Sequence, residues 1–381
     1  MIRTYKYLLR PTSQQDQALD FLLWQSRLIY NAALEQRIQT YQETGKGIAY
    51  GAQWEYFRDL RHANLDTIGL INASSLQHLL RRLDKAFQAF FKRVRAGEKP
   101  GFPKFKGRNY FKSIEFTYGD GCKLHANKQC QEYLYIQNVG DVRMCFHRVI
   151  PDGAQIKHVV IKQVNQRWYV CLMLKLPDVH RAHPKPGSAV GIDIGLYHLL
   201  ALSDNQIIEN PRWFKKSLAK LRVLHRQASR REQGSHRQSK SYTAIARLNE
   251  RIANQRHDYL HKITTILVQE YSGIAIEDFP LAFMNQNQRL ALSSFDAGLG
   301  KVRQLLKYKS EEAGGEVIAV NPAYTSQLCS NCGSIVEKSL KDRIHECHYC
   351  GLVLDRDVNA ARNILKLALE NPPGRGSSEP E

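Results

Sequence analysis

The chain has 381 residues and carries 55 Lys+Arg against 36 Asp+Glu, a formal net charge of +19. With 43% hydrophobic residues it can bury sizeable cores, which excludes charge-driven disorder of the whole chain, and its length points to two or three domains. So positive a chain is expected to meet a polyanion, nucleic acid first and an anionic membrane surface second. The membrane reading weakens because no stretch approaches the ~18–20 apolar residues that span a bilayer. The opening MIRTYKYLLRPTS has no apolar run leading to a small-residue cleavage site, so no export signal is read and a cytoplasmic, reducing location is expected.

Residues 2–10 read as a short strand. A helix follows, with Thr12 or Ser13 as N-cap and Leu19, Leu22, Leu23, Ile29, Ala32 and Ala33 at helical spacing. A second helix is expected over residues 52–61. The third is the clearest: Leu76, Leu79, Leu80, Leu83, Phe87, Phe90, Phe91 and Val94 recur at three- and four-residue steps, opposite Arg81, Arg82, Lys85, Lys92, Arg93 and Arg95. Gly97 and Pro100 end it. From residue 101 to 176, alternating runs (YLYIQNV, VRMCF, HVVIKQV, RWYVCLMLK) predict a small β-barrel or sheet, with a hairpin turn at Asn165-Gln166-Arg167. The aromatics of FPKFKGRNYF are assigned to its core, with stacking on unpaired nucleotides as the alternative. Pro177, Pro184 and Pro186 mark a linker. Strands AVGIDIG, HLLALS, GIAIEDF and EVIAV then alternate with a long basic helical region and a helix at 300–314, which indicates α/β architecture. NAARNILKLALE is a last helix, and NPPGRGSSEPE reads as a disordered tail. No internal repeat is visible.

Cys122, Cys130, Cys145 and Cys171 are scattered, whereas Cys329, Cys332, Cys347 and Cys350 form two C-x-x-C pairs. Each pair lets two thiolates reach one ion from a tight turn, and Gly333 and Gly351 follow where such knuckles need positive φ. Four thiolates match a closed, structural Zn²⁺ site with no open catalytic position. Contact with nucleic acid is the alternative role. His345 and His348 are spare in this reading.

Three acids stand out. Asp193 lies mid-strand between Ile192 and Ile194, and Glu277 repeats the pattern after Ile274 and Ile276. Asp357 opens the last amphipathic helix. Singly, each has an ordinary explanation: a helix cap, a strand-end acid (Asp278 beside Glu277), an arginine partner. Together, in so basic a chain, they suggest carboxylates whose repulsion is relieved by two Mg²⁺ ions about 4 Å apart, the arrangement that hydrolyses phosphodiesters.

GIDIG, IAIED and DRDVNAA, in that order, resemble the three motifs of a RuvC-type nuclease of the RNase H-like fold. The cysteine quartet before the third motif narrows the match: YTSQLCSNCG and DRDVNAARNI resemble the TnpB family, the RNA-guided nucleases of small insertion sequences. The resemblance covers nearly the whole chain and is most specific over 189–367. It implies that Asp193, Glu277 and Asp357 are the catalytic, magnesium-holding triad, with Asp355 competing in the third motif. It implies a multidomain α+β protein: a wedge β-barrel (1–10 and 101–188) interrupted by a helical recognition domain (11–100), then a RuvC-like nuclease (189–325 and 352–370) with a zinc-ribbon insertion (326–351) and the tail (371–381). The implied partners are a guide RNA from the transposon end, one protein per guide, and double-stranded target DNA beside a short adjacent motif. The implied setting is the cytoplasm, on the nucleoid when DNA is bound.

Residues 212–262 hold fourteen Lys/Arg and three acids, and residues 81–112 hold eleven and two. Their combined excess of +20 slightly exceeds the chain's net +19, so they read as phosphate-binding stretches that position a backbone without reading bases. That suits a protein whose sequence reading is delegated to a guide. The rival readings are a cleavage-deficient RNA-guided repressor, a strand-transfer transposase on the same fold, which typically carries glutamate at the third acidic position, and a plain zinc-ribbon DNA-binding factor.

Overall fold

The computed structural model describes residues 2–126, 132–177, 182–278, 284, 286–287, 290–339 and 342–370. The tail, Cys130 and part of the proline-rich linker lie outside the described residues. The chain forms two compact units, Met1–Asp178 and Val179–Glu381.

In the first unit, β1 (Ile2–Arg10) alternates as its sequence demands and buries Tyr5, Tyr7 and Leu9. Helix α1 (Ser13–Thr44) starts at a reciprocal capping box: the Thr12 hydroxyl accepts from the Gln15 amide at 3.3 Å, and Gln15 Oε1 accepts from the Thr12 amide at 3.1 Å. Helix α2 (Tyr50–Ala63) is tied in by Gln53, which is fully buried and accepts from Arg37 Nε at 2.9 Å, while Arg37 also pairs with Asp84 at 3.1 Å. Helix α3 (Ala73–Arg95) is capped by Asn72, whose Oδ1 accepts from the Ser74 amide at 2.8 Å. Leu76, Leu79, Leu80 and Leu83 are buried as the spacing predicts. The stripe does not stay buried: Phe91 and Val94 are 51% and 48% exposed. There Phe87, Phe90, Phe91 and Phe102 pack on one another, with ring centroids 5.2–6.3 Å apart.

Strands β2 (Ser113–Thr117), β3 (Cys122–Ala126), β4 (Glu132–Ile136), β5 (Gly140–Cys145), β6 (Gln155–Val164) and β7 (Arg167–Lys175) join β1 in one antiparallel sheet. Its order is β2-β6-β7-β1-β5-β4-β3, and the end strands β2 and β3 are not paired to each other among the described residues. The β6–β7 turn is Asn165-Gln166, both left-handed (φ 50° and 63°), the I′ geometry whose twist matches a two-residue hairpin. The aromatics of FPKFKGRNYF depart from their expected place in the core. Phe111 alone is buried, whereas Phe102, Phe105 and Tyr110 are 47%, 55% and 83% exposed. The reason is that β2 begins only at Ser113, so the residues before it have no sheet face to cover.

The second unit is built on a five-stranded sheet of order β10-β9-β8-β11-β12. Strands β8 (Ala189–Ile194), β11 (Gly273–Glu277) and β12 (Glu316–Val320) are parallel, and β9 (His198–Leu202) and β10 (Ile207–Glu209) are antiparallel. One sheet face, with Val190, Ile192, Ile274 and Ile276, is covered by α5 (His236–Glu270) and α7 (Leu299–Ala313) through Leu260, Leu267, Val302, Leu305 and Leu306. The other face takes α8 (Arg356–Glu370), where Ala275 and Val320 meet Ile364 and Ala368. Helix α4 (Trp213–Ser229) packs on α5 through Leu221, Ala228, Ile245 and Ile252, leaving Lys215, Lys216, Arg222, Arg226 and Arg230 exposed. A short helix α6 (Ala291–Ala297) precedes α7, and a small ladder of β13 (Ile344–Glu346) and β14 (Val353–Asp355) precedes α8. Among the described residues no helix is long and apolar enough to cross a membrane.

Candidate active site

The three acids picked from the sequence sit on one face of this sheet. In β8, Ile192 and Ile194 are buried on the α5/α7 side, so Gly191 and Asp193 face α8. Parallel pairing of Ile276 with Ile192 carries Glu277 alongside Asp193. Asp357, in the first turn of α8, completes the group. The approach of α8 depends on Gly191: a Cβ there would lie 2.0 Å from the Ala361 carbonyl oxygen and 2.9 Å from Leu365 Cβ.

Asp355 and Asp357 separate into two roles. Asp355 Oδ1 accepts from the amides of Asp357 (2.8 Å) and Val358 (3.2 Å), so it caps α8. Asp357 is therefore left to face the sheet. Its neighbour His198, at the start of β9, places Nε2 3.8 Å from Asp355 Oδ2. His198, Asp355 and Asp357 bring ligand atoms within 4.8 Å of one another.

The electrostatics are those of like charges held together. Burial pushes the Asp193 carboxyl well above the ordinary carboxylate range; Glu277 and Asp357 push it further, and Arg356 opposes them. Burial also raises Asp357, with Asp355 adding to the rise and Arg343 and His198 opposing it. Glu277 is raised by burial but held back by a hydrogen bond from the Thr325 hydroxyl and by Arg303. Arg303 also donates to the Glu277 carbonyl. A divalent cation would relieve this repulsion, so the donor set suits a hard, oxygen-liking ion.

The four cysteines converge. Cys329 and Cys350 sulfurs lie 3.6 Å apart, as do those of Cys332 and Cys347, and all four are within 4.8 Å of one another. Sulfurs at the corners of a tetrahedron with ~2.3 Å bonds are about 3.8 Å apart, so the cluster fits one closed tetrahedral ion. Gly333 and Gly351 have φ of 76° and 72°, and their amides donate back to the Cys329 and Cys347 carbonyls at 2.9 and 2.8 Å. His345 is not a ligand here: it is fully buried and bonded through Nδ1 to Lys338. His348 is exposed.

The cysteine cluster and the carboxylates share one loop. Asn359 and Asn363, one turn apart on α8, both donate to the Leu328 carbonyl, at 2.8 and 2.7 Å. Asn363 also reaches the Thr325 carbonyl at 2.9 Å, and Asn359 Oδ1 accepts from the Ser330 amide at 2.9 Å. These bonds fix residues 325–330, which present Thr325 to Glu277 at one end and Cys329 to the cluster at the other. Sequence reasoning missed His198, Arg303, Thr325 and the two asparagines. The asparagines alone left a trace, as polar residues where a helix should be apolar.

Residues 300–364 match a family model described as Cas12f1-like, TNB domain, residues 163–288 match one described as "Probable transposase" (OrfB of IS605), and residues 1–46 match a helix-turn-helix domain. In this structure residues 2–44 form one strand and one continuous helix. A protein of Escherichia coli (strain K12), provisionally named RNA-guided DNA endonuclease InsQ, is 32% identical over 96% of this chain and 92% of its own length. A provisionally named RNA-guided DNA endonuclease of Streptomyces pristinaespiralis is 32% identical over 96% and 89%. Among solved structures, a Cas12f1–sgRNA–target DNA complex matches with a TM-score of 0.59 and 18% identity, over 95% of this chain and 83% of that one. The fold is thus Cas12f1-like, of mixed α/β architecture. The chain belongs to the TnpB family.

Proposed function

We propose that the chain is an RNA-guided DNA endonuclease whose hydrolytic centre is Asp193, Glu277 and Asp357. The observation that carries this reading is three carboxylates, from β8, β11 and the first turn of α8, gathered on one sheet face, where burial raises the pKa of each and Glu277 and Asp357 push Asp193 further. When bound there, two Mg²⁺ ions would activate a water and stabilise the leaving oxygen. The chain's own residues hold the ligands in place. Asp355 spends its charge on the helix cap and so leaves Asp357 as third ligand, while Thr325 and Arg303 orient Glu277. Zn²⁺ in the four-cysteine site is structural, since four sulfurs leave no open position.

In this reading residues 1–10 and 101–188 form the wedge domain and 11–100 the recognition helices. Residues 189–325 and 352–370 form the RuvC-like nuclease, and 326–351 the zinc ribbon. A transposon-end guide RNA, one per protein, pairs with double-stranded target DNA beside a short adjacent motif, in the cytoplasm and on the nucleoid. The exposed lysines and arginines of α4 suit contacts to nucleic-acid backbone. A complete carboxylate set argues against a cleavage-deficient repressor, and aspartate at the third position argues against a strand-transfer transposase.

The test is cleavage of a guide-matched plasmid with Mg²⁺. Asp193→Ala and Glu277→Ala should each abolish cleavage while guide RNA still co-purifies. Full cleavage by either variant would overturn the assignment.

A further inference from the structure

We propose that the cavity beside Tyr197 binds one unpaired nucleotide of the DNA strand being cut, stacking its base on a Tyr197–Arg343 platform; this rests on the nuclease reading above. The cavity has a volume of about 230 Å³, enough for the base and sugar of one nucleotide and too small for a duplex. Among the described residues its wall holds three cations, Arg212, Lys215 and Arg343. Tyr197 is 47% exposed, with the Arg343 guanidinium 4.5 Å and the Arg212 guanidinium 6.0 Å from its ring centroid. Arg343 lies over the Tyr197 ring, and an unpaired base stacks on such an aromatic–guanidinium pair, with phosphate completing the charge balance.

The platform is built rather than incidental. Arg212 has a left-handed backbone (φ 53°), its amide donates to Asn210 Oδ1 at 3.2 Å, and its Nη2 donates to the Tyr197 carbonyl at 3.2 Å. Asn210 in turn donates to the Leu196 carbonyl at 3.1 Å. The one acid in the wall among the described residues, Asp296, does not repel a phosphate as a free carboxylate would. It is 5% exposed and accepts from the amides of Phe214 (2.9 Å) and Lys215 (3.0 Å) at the start of α4. The cavity also lies beside the proposed chemistry. The His198 ring stands edge-on to Tyr197 at 4.6 Å and reaches to 3.8 Å from Asp355, while Arg343 acts electrostatically on Asp357. Stacking plus phosphate contact is tolerant of base identity, as a nuclease directed by a guide requires.

The experiment uses full-length Asp193→Ala protein, which binds without cutting, and a single-stranded DNA octamer with 2-aminopurine moved along its length. At one position binding should quench the fluorescence. Tyr197→Ala in the same background should remove that quench and weaken binding roughly tenfold, and Tyr197→Trp should restore both. If Tyr197→Ala fails to fold, Arg343→Gln, a change at an exposed side chain, is read the same way. Equal quenching with and without the aromatic ring, or quenching at no position, overturns the proposal. Because the readout is fluorescence, absence of DNA cleavage by the unmutated protein would sink the nuclease reading and still leave the pocket decided.

Discussion

Gly191 and Ala361 meet backbone to backbone: a methyl group on Gly191 would sit 2.0 Å from the Ala361 carbonyl oxygen, closer than any carbon can approach. Gly191 is two residues from Asp193 along β8, about 6.6 Å, and Ala361 is about one turn from Asp357 along α8, roughly 6 Å. The two spacings nearly match, so one close contact sets where Asp357 stands relative to Asp193. Gly191→Ala is therefore expected to displace α8, cost on the order of 1–3 kcal/mol of stability, and slow cleavage far more than it lowers guide-RNA binding. Melting temperature, cleavage rate and RNA retention measured on one preparation check this. Unchanged cleavage would separate the helix position from the chemistry.

Asp193→Asn should stabilise the protein in magnesium-free buffer at neutral pH while abolishing cleavage. The folded-state pKa of Asp193 is raised, so its ionised form is disfavoured by folding. That destabilisation is present above the folded pKa and is relieved as pH falls through it. The difference in melting temperature between variant and parent should thus shrink on acidification, and Mg²⁺ should stabilise the parent more than the variant. Thermal melts at several pH values decide it.

Much of this architecture was legible in the sequence for a local reason. The N-cap at Thr12, the Leu76–Leu83 stripe, the turn that begins at Asn165 and the paired cysteines are each written within a few residues. What could not be read depends on approach between distant segments. Nothing near Gly191 announces that a helix more than a hundred residues later rests on it. Asp355 and Asp357 look alike until one is seen to cap α8. The aromatic residues before Ser113 read as core because their composition matches core, and only the late start of β2 exposes them.

Asn363→Ala should leave the Thr325 carbonyl without its partner and loosen residues 325–330. A buried unsatisfied polar group costs about 1–3 kcal/mol. The same variant should slow cleavage and hasten zinc loss to a chelator, two effects that a purely local defect would not couple. Zinc release followed with a colorimetric indicator, beside cleavage rates, tests the coupling.

Cys329→Ser and Cys347→Ser remove buried ligands and should abolish zinc retention with a clear fall in melting temperature. Elemental analysis after dialysis reads this directly, and retained zinc in either variant would mean the four sulfurs do not hold the metal.

Arg222→Ala and Arg226→Ala, on the exposed face of α4, should each reduce the salt dependence of nucleic-acid binding by about 0.7–0.9 in the log–log slope. Binding isotherms at several salt concentrations give the slopes. Slopes identical to the parent's would place the nucleic acid elsewhere.

The central position of β1 has a temporal consequence. Residues 2–10 pair on one side with 143–145 and on the other with 169–175. During synthesis at about 5–20 residues per second, this strand waits roughly 8–30 s for both neighbours. Helices α1 to α3 need no such delay. A nascent chain thus carries Tyr5, Tyr7 and Leu9 without the strands that flank them in the finished sheet until β7 emerges.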